Sequence, residues 1–316
     1  MKIFTWHIHG SYLFYLSQGP WDIYIPVNGR QEEGYYGRGT TFPFGANVHE
    51  IPIAEVRNAD FDLILFQTEK NYLEDQHEVL SPEQKTLPKI FIEHDPPWQH
   101  PADERHPVED PAVTVVHVTH FNALMWNNQG YPTRVIPHGV LVPDLPVIEK
   151  KNRGIVVINN LSARGRMLGA DIFERVAAQV PLDLVGMGTE NLGLGEVLHP
   201  QLPAFISGYR FFFNPIRYTS LGLSICEAMM CGLPIVGLAT TELATTIESG
   251  YSGYIHTDVD YLIDRMKFLL EYPAQAEKMG DHAKQVAREK FSIERFASDW
   301  NSLFTEVIER SKIKSI

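Results

Sequence analysis

Residues 221–237 read LGLSICEAMMCGLPIVG, and this stretch decides the fold. A tight turn at Gly222 precedes an apolar helical run, and a Pro-started strand follows at Pro234, Ile235 and Val236. One carboxylate, Glu227, lies inside the apolar run, and charged side chains are seldom buried without a partner. Glu227 therefore calls for a ligand or an ion pair. Loop, helix and strand in that order form one unit of a doubly wound fold. There, nucleotides and phosphates sit in the loop beside the helix N-terminus.

Outward from this unit, short unalternating apolar runs alternate with helical patterns along most of the chain. Strands are expected at Lys2–Trp6, Phe61–Phe66, Lys89–Glu93, Thr114–Val118 and Arg134–Pro137, then Ile155–Asn159, Leu182–Gly186, Arg210–Phe213 and Ile235–Leu238. Such runs suit parallel sheets covered on both faces, and Phe121–Gln129 and Ala170–Gln179 carry helical spacing between them. The expected fold class is α/β, with two Rossmann-like doubly wound parallel-sheet domains in tandem. The linker VLVPDLPVIEKKNRG, residues 140–154, carries two prolines and a charge cluster. It separates a domain over 1–146 from one over 150–296. Toward the end, Phe296, Trp300, Leu303, Phe304 and Val307 mark one face of an amphipathic helix after Ser292, a candidate N-cap. Thr240 and Thr241 suit the cap of another helix running through Glu248.

Residues 29–45, GRQEEGYYGRGTTFPFG, hold five glycines and four aromatics and make no regular element. They read either as a mobile surface loop or as an acceptor-side lid.

Composition bounds the function. The chain has 316 residues and a formal net charge of −12, which disfavours nonspecific nucleic-acid binding. Its two cysteines, Cys226 and Cys231, lack the partners of a zinc site and read as small buried hydrophobes of a reducing compartment. His7 and His9 alternate as on a strand, but no carboxylate or cysteine at matching spacing joins them, so no metal is expected. No run approaches the roughly 18 apolar residues of a membrane helix. MKIFTWHIHG reads as a first strand rather than a signal peptide, and the expected location is cytoplasmic.

The segment FFFNPIRYTSLGLSICEAMMCGLPIVG, followed by TTELATTIESGYSGYI, resembles the retaining GT-B glycosyltransferases of family 4, or group 1. VIPHGV at 135–140, LVGMG at 184–188 and FSIERFASDW near the end match further family stretches in order. The resemblance covers most of 134–303 and is weak in the first 90 residues. It implies two domains facing across a cleft, with a nucleotide-sugar donor held by the second and the acceptor by the first. It also implies a final helix, 297–316, that packs back on the first domain. The implied activity, in carbohydrate biosynthesis, is metal- and cofactor-independent transfer of a sugar from a UDP- or GDP-linked donor with retained anomeric configuration. The acceptor would be a hydroxyl on a glycan, a lipid-linked molecule or a small molecule. A lipid-linked acceptor would require peripheral contact with the inner membrane face, although no clear basic amphipathic helix marks such a surface.

Residue by residue, Glu227 matches the family glutamate that binds ribose hydroxyls, and a carboxylate can accept two hydrogen bonds from a vicinal diol. Gly222 and Leu223 match the turn whose N–H groups face the donor, and Gly186 lies in the matching strand-to-loop turn. The other family glutamate, expected eight positions earlier beside the donor sugar, is replaced by Thr219. The family arginine for the diphosphate would fall near Asn160 and is missing, leaving Arg164 and Arg166 as available cations or as solvated loop residues. In the first domain, His94 matches a strand-end histidine near the donor sugar, with Asp95 as its orienter or an acceptor contact. Trp98 could offer an aromatic face to a sugar, and Gly10 could abut the donor phosphates. His138 and Gly139 occupy the interdomain turn. The departures at 219 and 160 leave two alternatives open: a nucleotide-sugar-binding protein without turnover, and a GT-B-like epimerase or hydrolase.

Overall fold

Lys2–Thr5 (β1) is buried at all but its first residue and founds the first of two parallel sheets in the computed structural model, which describes residues 1–314. With Asp22–Val27 (β2), Val48–Pro52 (β3), Leu63–Phe66 (β4), Lys89–Glu93 (β5), Val113–His117 (β6) and Thr133–Val135 (β7), it forms the order β3-β2-β1-β4-β5-β6-β7. Both β4 (LILF) and β6 (VTVVH) are buried at every residue, as strands covered on two faces must be. The order reverses between β1 and β4, so the loops leaving their carboxyl ends diverge and open a crevice.

The second sheet joins Gly154–Val157 (β8), Leu182–Val185 (β9), Phe211–Asn214 (β10), Ile235–Leu238 (β11) and Gly253–His256 (β12) in the order β12-β11-β10-β8-β9, all parallel. Its reversal falls between β8 and β10. Every expected strand is present with its ends moved by at most two residues. Three strands were not expected. β3 and β12 are edge strands with exposed positions, and the apolar run IYIPV of β2 is interrupted by Pro26, a residue that argues against a central strand.

The chain divides into two units, residues 1–139 with the terminal helix, and residues 140–292. The boundaries thus fall earlier than the expected 146 and 296. Val140 donates its N–H to Phe291 O at 3.0 Å and is bridged to Ser292, which ties the linker to the second unit. Gly139 belongs to the first, where a Cβ would stand 2.2 Å from that of Phe296. The terminal helix Ile293–Lys314 packs on its own unit through its aromatic face. Phe296 meets Tyr12 edge-on at 5.6 Å, and Phe304 meets Trp21 at 5.0 Å. Arg310 Nη2 donates to Thr114 Oγ1 at 2.7 Å. The last two residues of the expected helix 297–316 lie outside the described residues.

Two smaller expectations are corrected. The segment 29–45 is anchored rather than loose: Tyr35 and Phe44 are buried, and bridges tie Gly34 to His7 and Tyr36 to Val27. Thr240 and Thr241 do not cap a helix through Glu248. Thr240 Oγ1 donates to Ile216 O at 2.9 Å, and the helix is the single turn Leu243–Thr246, started at Glu242. Among the described residues no helix is long and apolar enough to cross a membrane.

Candidate functional site

In the second unit the site residues collect at the carboxyl ends of β8 and β10, the topological switch point. β8 runs into Asn159, whose Oδ1 accepts the Met187 N–H at 2.9 Å, and Asn160, whose N–H reaches Met187 O at 2.7 Å. Asn160 is left-handed, at φ 53°, and starts the short helix Leu161–Arg164. Gly186 is required by the fold itself. Its φ is +147° and a Cβ there would lie 2.3 Å from Ile158 O. Gly222 is different. Its φ of −71° and ψ of 137° suit any residue, and nothing comes nearer than 3.5 Å to a Cβ built on it. The fold does not need a glycine there, so the space it leaves is available to a ligand.

Behind Gly222 the helix Leu223–Met230 begins, and Leu223 itself is half-buried on its first turn. Glu227 is buried among Ile225, Cys226, Ala228 and Met229. His199 Nε2 lies 3.2 Å from Glu227 Oε1, so the carboxylate has the basic partner that its burial demands. Thr219 stands half-buried on the loop before Gly222. Burial pushes the Cys231 thiol up to about 12, consistent with an inert cysteine.

The two candidate arginines differ. Arg166 Nη1 is paired with Asp171 Oδ2 at 2.7 Å, and Arg217 grips the same carboxylate with Nη1 and Nη2 at 2.6 and 2.8 Å. The Arg217 hydrogen bonds hold Asp171 down to about 2. Arg164 is exposed and makes no side-chain pair with any described residue, which leaves it the more available cation.

In the first unit the candidates gather at the ends of β1, β4 and β5. The His9 and His94 rings lie 3.9 Å apart, tilted by 37°, and Tyr12 meets His94 edge-on at 4.7 Å. Burial, reinforced by His9 and His138, pushes His94 well below the usual imidazole range, and burial lowers His9 to about 4. Both are neutral at neutral pH, and each then offers one donor and one acceptor. The His94 Nε2 is buried without a hydrogen-bond partner among the described residues. Asp95 donates its N–H to Glu93 Oε1 at 3.0 Å and accepts Trp126 Nε1–H on its carbonyl at 2.8 Å, so its backbone is fixed. Gly10 is explained by packing, since a Cβ there would meet Phe42 at 2.2 Å. His7 is likewise a packing residue, with Nδ1 donating to Gly37 O at 2.6 Å and its ring among Tyr36 and Phe44.

A cavity of about 650 Å³ opens beside this cluster, lined by His9, Gln67, Glu69, Glu93, Trp98 and Trp126 among others. Its floor holds an arrangement absent from the sequence expectations. Glu93 Oε2 lies 3.2 Å from His106 Nε2, while His106 Nδ1 accepts the Val108 N–H at 3.1 Å. The acceptor role of Nδ1 places the imidazole proton on Nε2, pointing at Glu93. Burial pushes the Glu93 carboxyl up to about 8.

Comparison with known proteins follows from this geometry. Residues 155–272 match the family described as glycosyl transferases group 1. The matched stretch lies within the second unit. Trehalose synthase of Pyrococcus horikoshii is 33% identical over 86 residues, 26% of this chain, and the chain covers only 21% of that protein's length. Sucrose-phosphate synthase from Thermosynechococcus elongatus superposes with a TM-score of 0.73 at 17% identity, covering 98% of this chain and 100% of that one. Anabaena Alr3699/HepE, solved with UDP and glucose, does so at 0.67 and 14% identity, covering 97% and 100%. The fold is therefore the GT-B type, with two parallel-sheet α/β units, as the resemblance implied.

In the second unit the sequence located Glu227, Gly222, Leu223, Thr219, Arg164 and Arg166 around one switch point, and in the first His94 and Asp95 at a strand end. It missed His199, Arg217, Gln67, Glu93 and His106. Glu93 had a signal, a carboxylate ending the apolar run KIFIE. His199 and His106 had none, because each finds its partner 28 or 13 residues away through the fold.

Proposed function

We propose that the protein is a retaining, metal-independent glycosyltransferase. It moves a hexosyl unit from a UDP- or GDP-sugar held by residues 140–292 to an acceptor hydroxyl held by the first unit. The observation that carries this reading is Glu227, a buried, His199-oriented carboxylate behind the open turn at Gly222, in a domain that matches group 1. Glu227 accepts the ribose hydroxyls, and the Gly222 and Leu223 N–H groups face the phosphates at the start of the helix, where partial positive charge favours them. Arg164 adds a full charge as the diphosphate leaves. His94 and Asp95 contact the sugar or acceptor from the first unit, and the departing phosphate takes the acceptor proton. The similarity to a protein solved with UDP and glucose supports a UDP-sugar as the first donor to try.

A second reading, binding without turnover, is favoured by Thr219, which cannot offer negative charge to an oxocarbenium-like centre, and by Asn160 in place of a cation. Calorimetry with UDP and GDP, followed by transfer and donor-hydrolysis assays with and without EDTA, decides between them. Nucleotide binding with EDTA-resistant transfer and retained configuration is expected. Binding with no turnover across a broad acceptor panel establishes the second reading, and epimerised or hydrolysed donor points to a different GT-B-like enzyme.

A further inference from the structure

The cavity beside β1, β4 and β5 carries a charge pattern that the transfer reading does not use. Gln67 is 3% exposed, and its Nε2 donates to Trp6 O at 2.6 Å and Thr5 Oγ1 at 3.2 Å. Because a carbonyl cannot face the Trp6 carbonyl, this fixes the amide orientation and leaves Oε1 as the unused end. That oxygen is buried and has no hydrogen-bond partner among the described residues. Glu104 Oε2 is taken by the Gln99 and His100 N–H groups at 2.5 and 3.2 Å, and Glu93 by Asp95 N–H and His106. Glu69 and Asp103, both exposed on the wall, make no ion pair or hydrogen bond with any described residue. Against these carboxylates the lining offers one arginine or lysine, Arg105.

The groups left over are thus the orphaned Gln67 Oε1, two unpaired carboxylates and the His94 Nε2, which as a neutral imidazole nitrogen either accepts or donates. A ligand that satisfies them must donate hydrogen bonds and carry positive charge. An ammonium group does both, having three donors and no acceptor, whereas a carboxylate or phosphate would be repelled. Hydroxyls can also donate to Gln67 and to both carboxylates, but they bring no charge to offset the two negative ones. Trp98, 44% exposed at the rim, adds an aromatic face for a cation or for the apolar side of a sugar ring.

We propose that this cavity binds an acceptor bearing a protonated amine, an amino sugar or amino-cyclitol, with the ammonium held between Gln67 Oε1 and the carboxylates of Glu69 and Asp103. This rests on the reading that the first unit holds the acceptor. The test uses the full chain saturated with UDP and three matched probes: methyl glucosaminide, its N-acetyl derivative and methyl glucuronide. The glucosaminide binds about fivefold tighter than either of the others, the upper end of what ion pairs with exposed carboxylates provide. The preference shrinks in 0.5 M salt and collapses in the Glu69→Gln, Asp103→Asn double variant, while UDP affinity holds. Equal affinity for the three probes overturns the proposal, as does a preference that survives the double variant or high salt. Failure of the donor reading looks different: neither UDP nor GDP binds, yet the glucosaminide is still selected, and this supports the cavity while removing the transferase.

Discussion

His199 Nε2 lies 3.2 Å from Glu227 Oε1, so a side chain from the segment before one helix orients the buried carboxylate of the next. One carboxylate oxygen is engaged by the imidazole, and the group as a whole is held in a single direction. Glu227→Ala is expected to weaken UDP or GDP binding by about 2 kcal/mol, the worth of one or two charge-assisted hydrogen bonds. His199→Ala should lower affinity less, through lost orientation. Calorimetry on both variants checks this, and an unchanged nucleotide affinity in Glu227→Ala removes the donor-site assignment.

The two glycines flanking this site separate ligand space from fold demand. Gly222→Ala should unfold within a degree or two of wild type, since its backbone and surroundings accept a Cβ, and should bind nucleotide less well. Gly186→Ala should lose about 2 kcal/mol or more of stability, because its φ of +147° and the Ile158 carbonyl both exclude the methyl group. Thermal unfolding beside nucleotide titration distinguishes the two outcomes.

Thr219 tests the reacting centre. Thr219→Glu should change turnover at least severalfold and leave nucleotide affinity within about twofold, since the residue precedes the turn rather than lining the ribose contact. Turnover identical to wild type would place position 219 away from the transferred sugar.

For the diphosphate, Arg164→Ala should lower UDP affinity about tenfold and leave uridine unaffected, as loss of one charge-assisted phosphate contact predicts. Arg166→Ala should have a much smaller effect because its guanidinium is already committed to Asp171. Comparing UDP with uridine in each variant isolates the phosphate contribution.

Glu93 gives a pH signature. Burial raises its carboxyl from 4.5 to about 8, so between those values the folded chain holds a proton that the unfolded chain has released. Its stabilising effect is complete below pH 4.5 and is lost as pH climbs through 8, at no more than about 1.4 kcal/mol per pH unit. His9, His106 and His117 act in the opposite sense. Burial lowers each from 6.5 to about 4, and they cost stability as pH falls across that interval. Urea unfolding between pH 6.5 and 8 should therefore show a decline that Glu93→Gln flattens; parallel curves for the two proteins would contradict this account.

The sequence by itself determined the α/β class, the strands with continuous apolar runs, and the loop-helix-strand unit around Glu227. Those features rest on local periodicity, which a chain carries in every short window. The resemblance it carries also marked Thr219 and Asn160 as departures from the family pattern. The edge strands β3 and β12 escaped because an edge strand need not be apolar at every residue. Tertiary structure alone decided which partner answers each ionisable group: His199 for Glu227, His106 for Glu93, and Asp171 for the exposed Arg166. It also decided that Gly10 and Gly186 serve packing while Gly222 leaves room. Burial and pairing are set by residues far apart in the chain, and no local pattern encodes which of them meet.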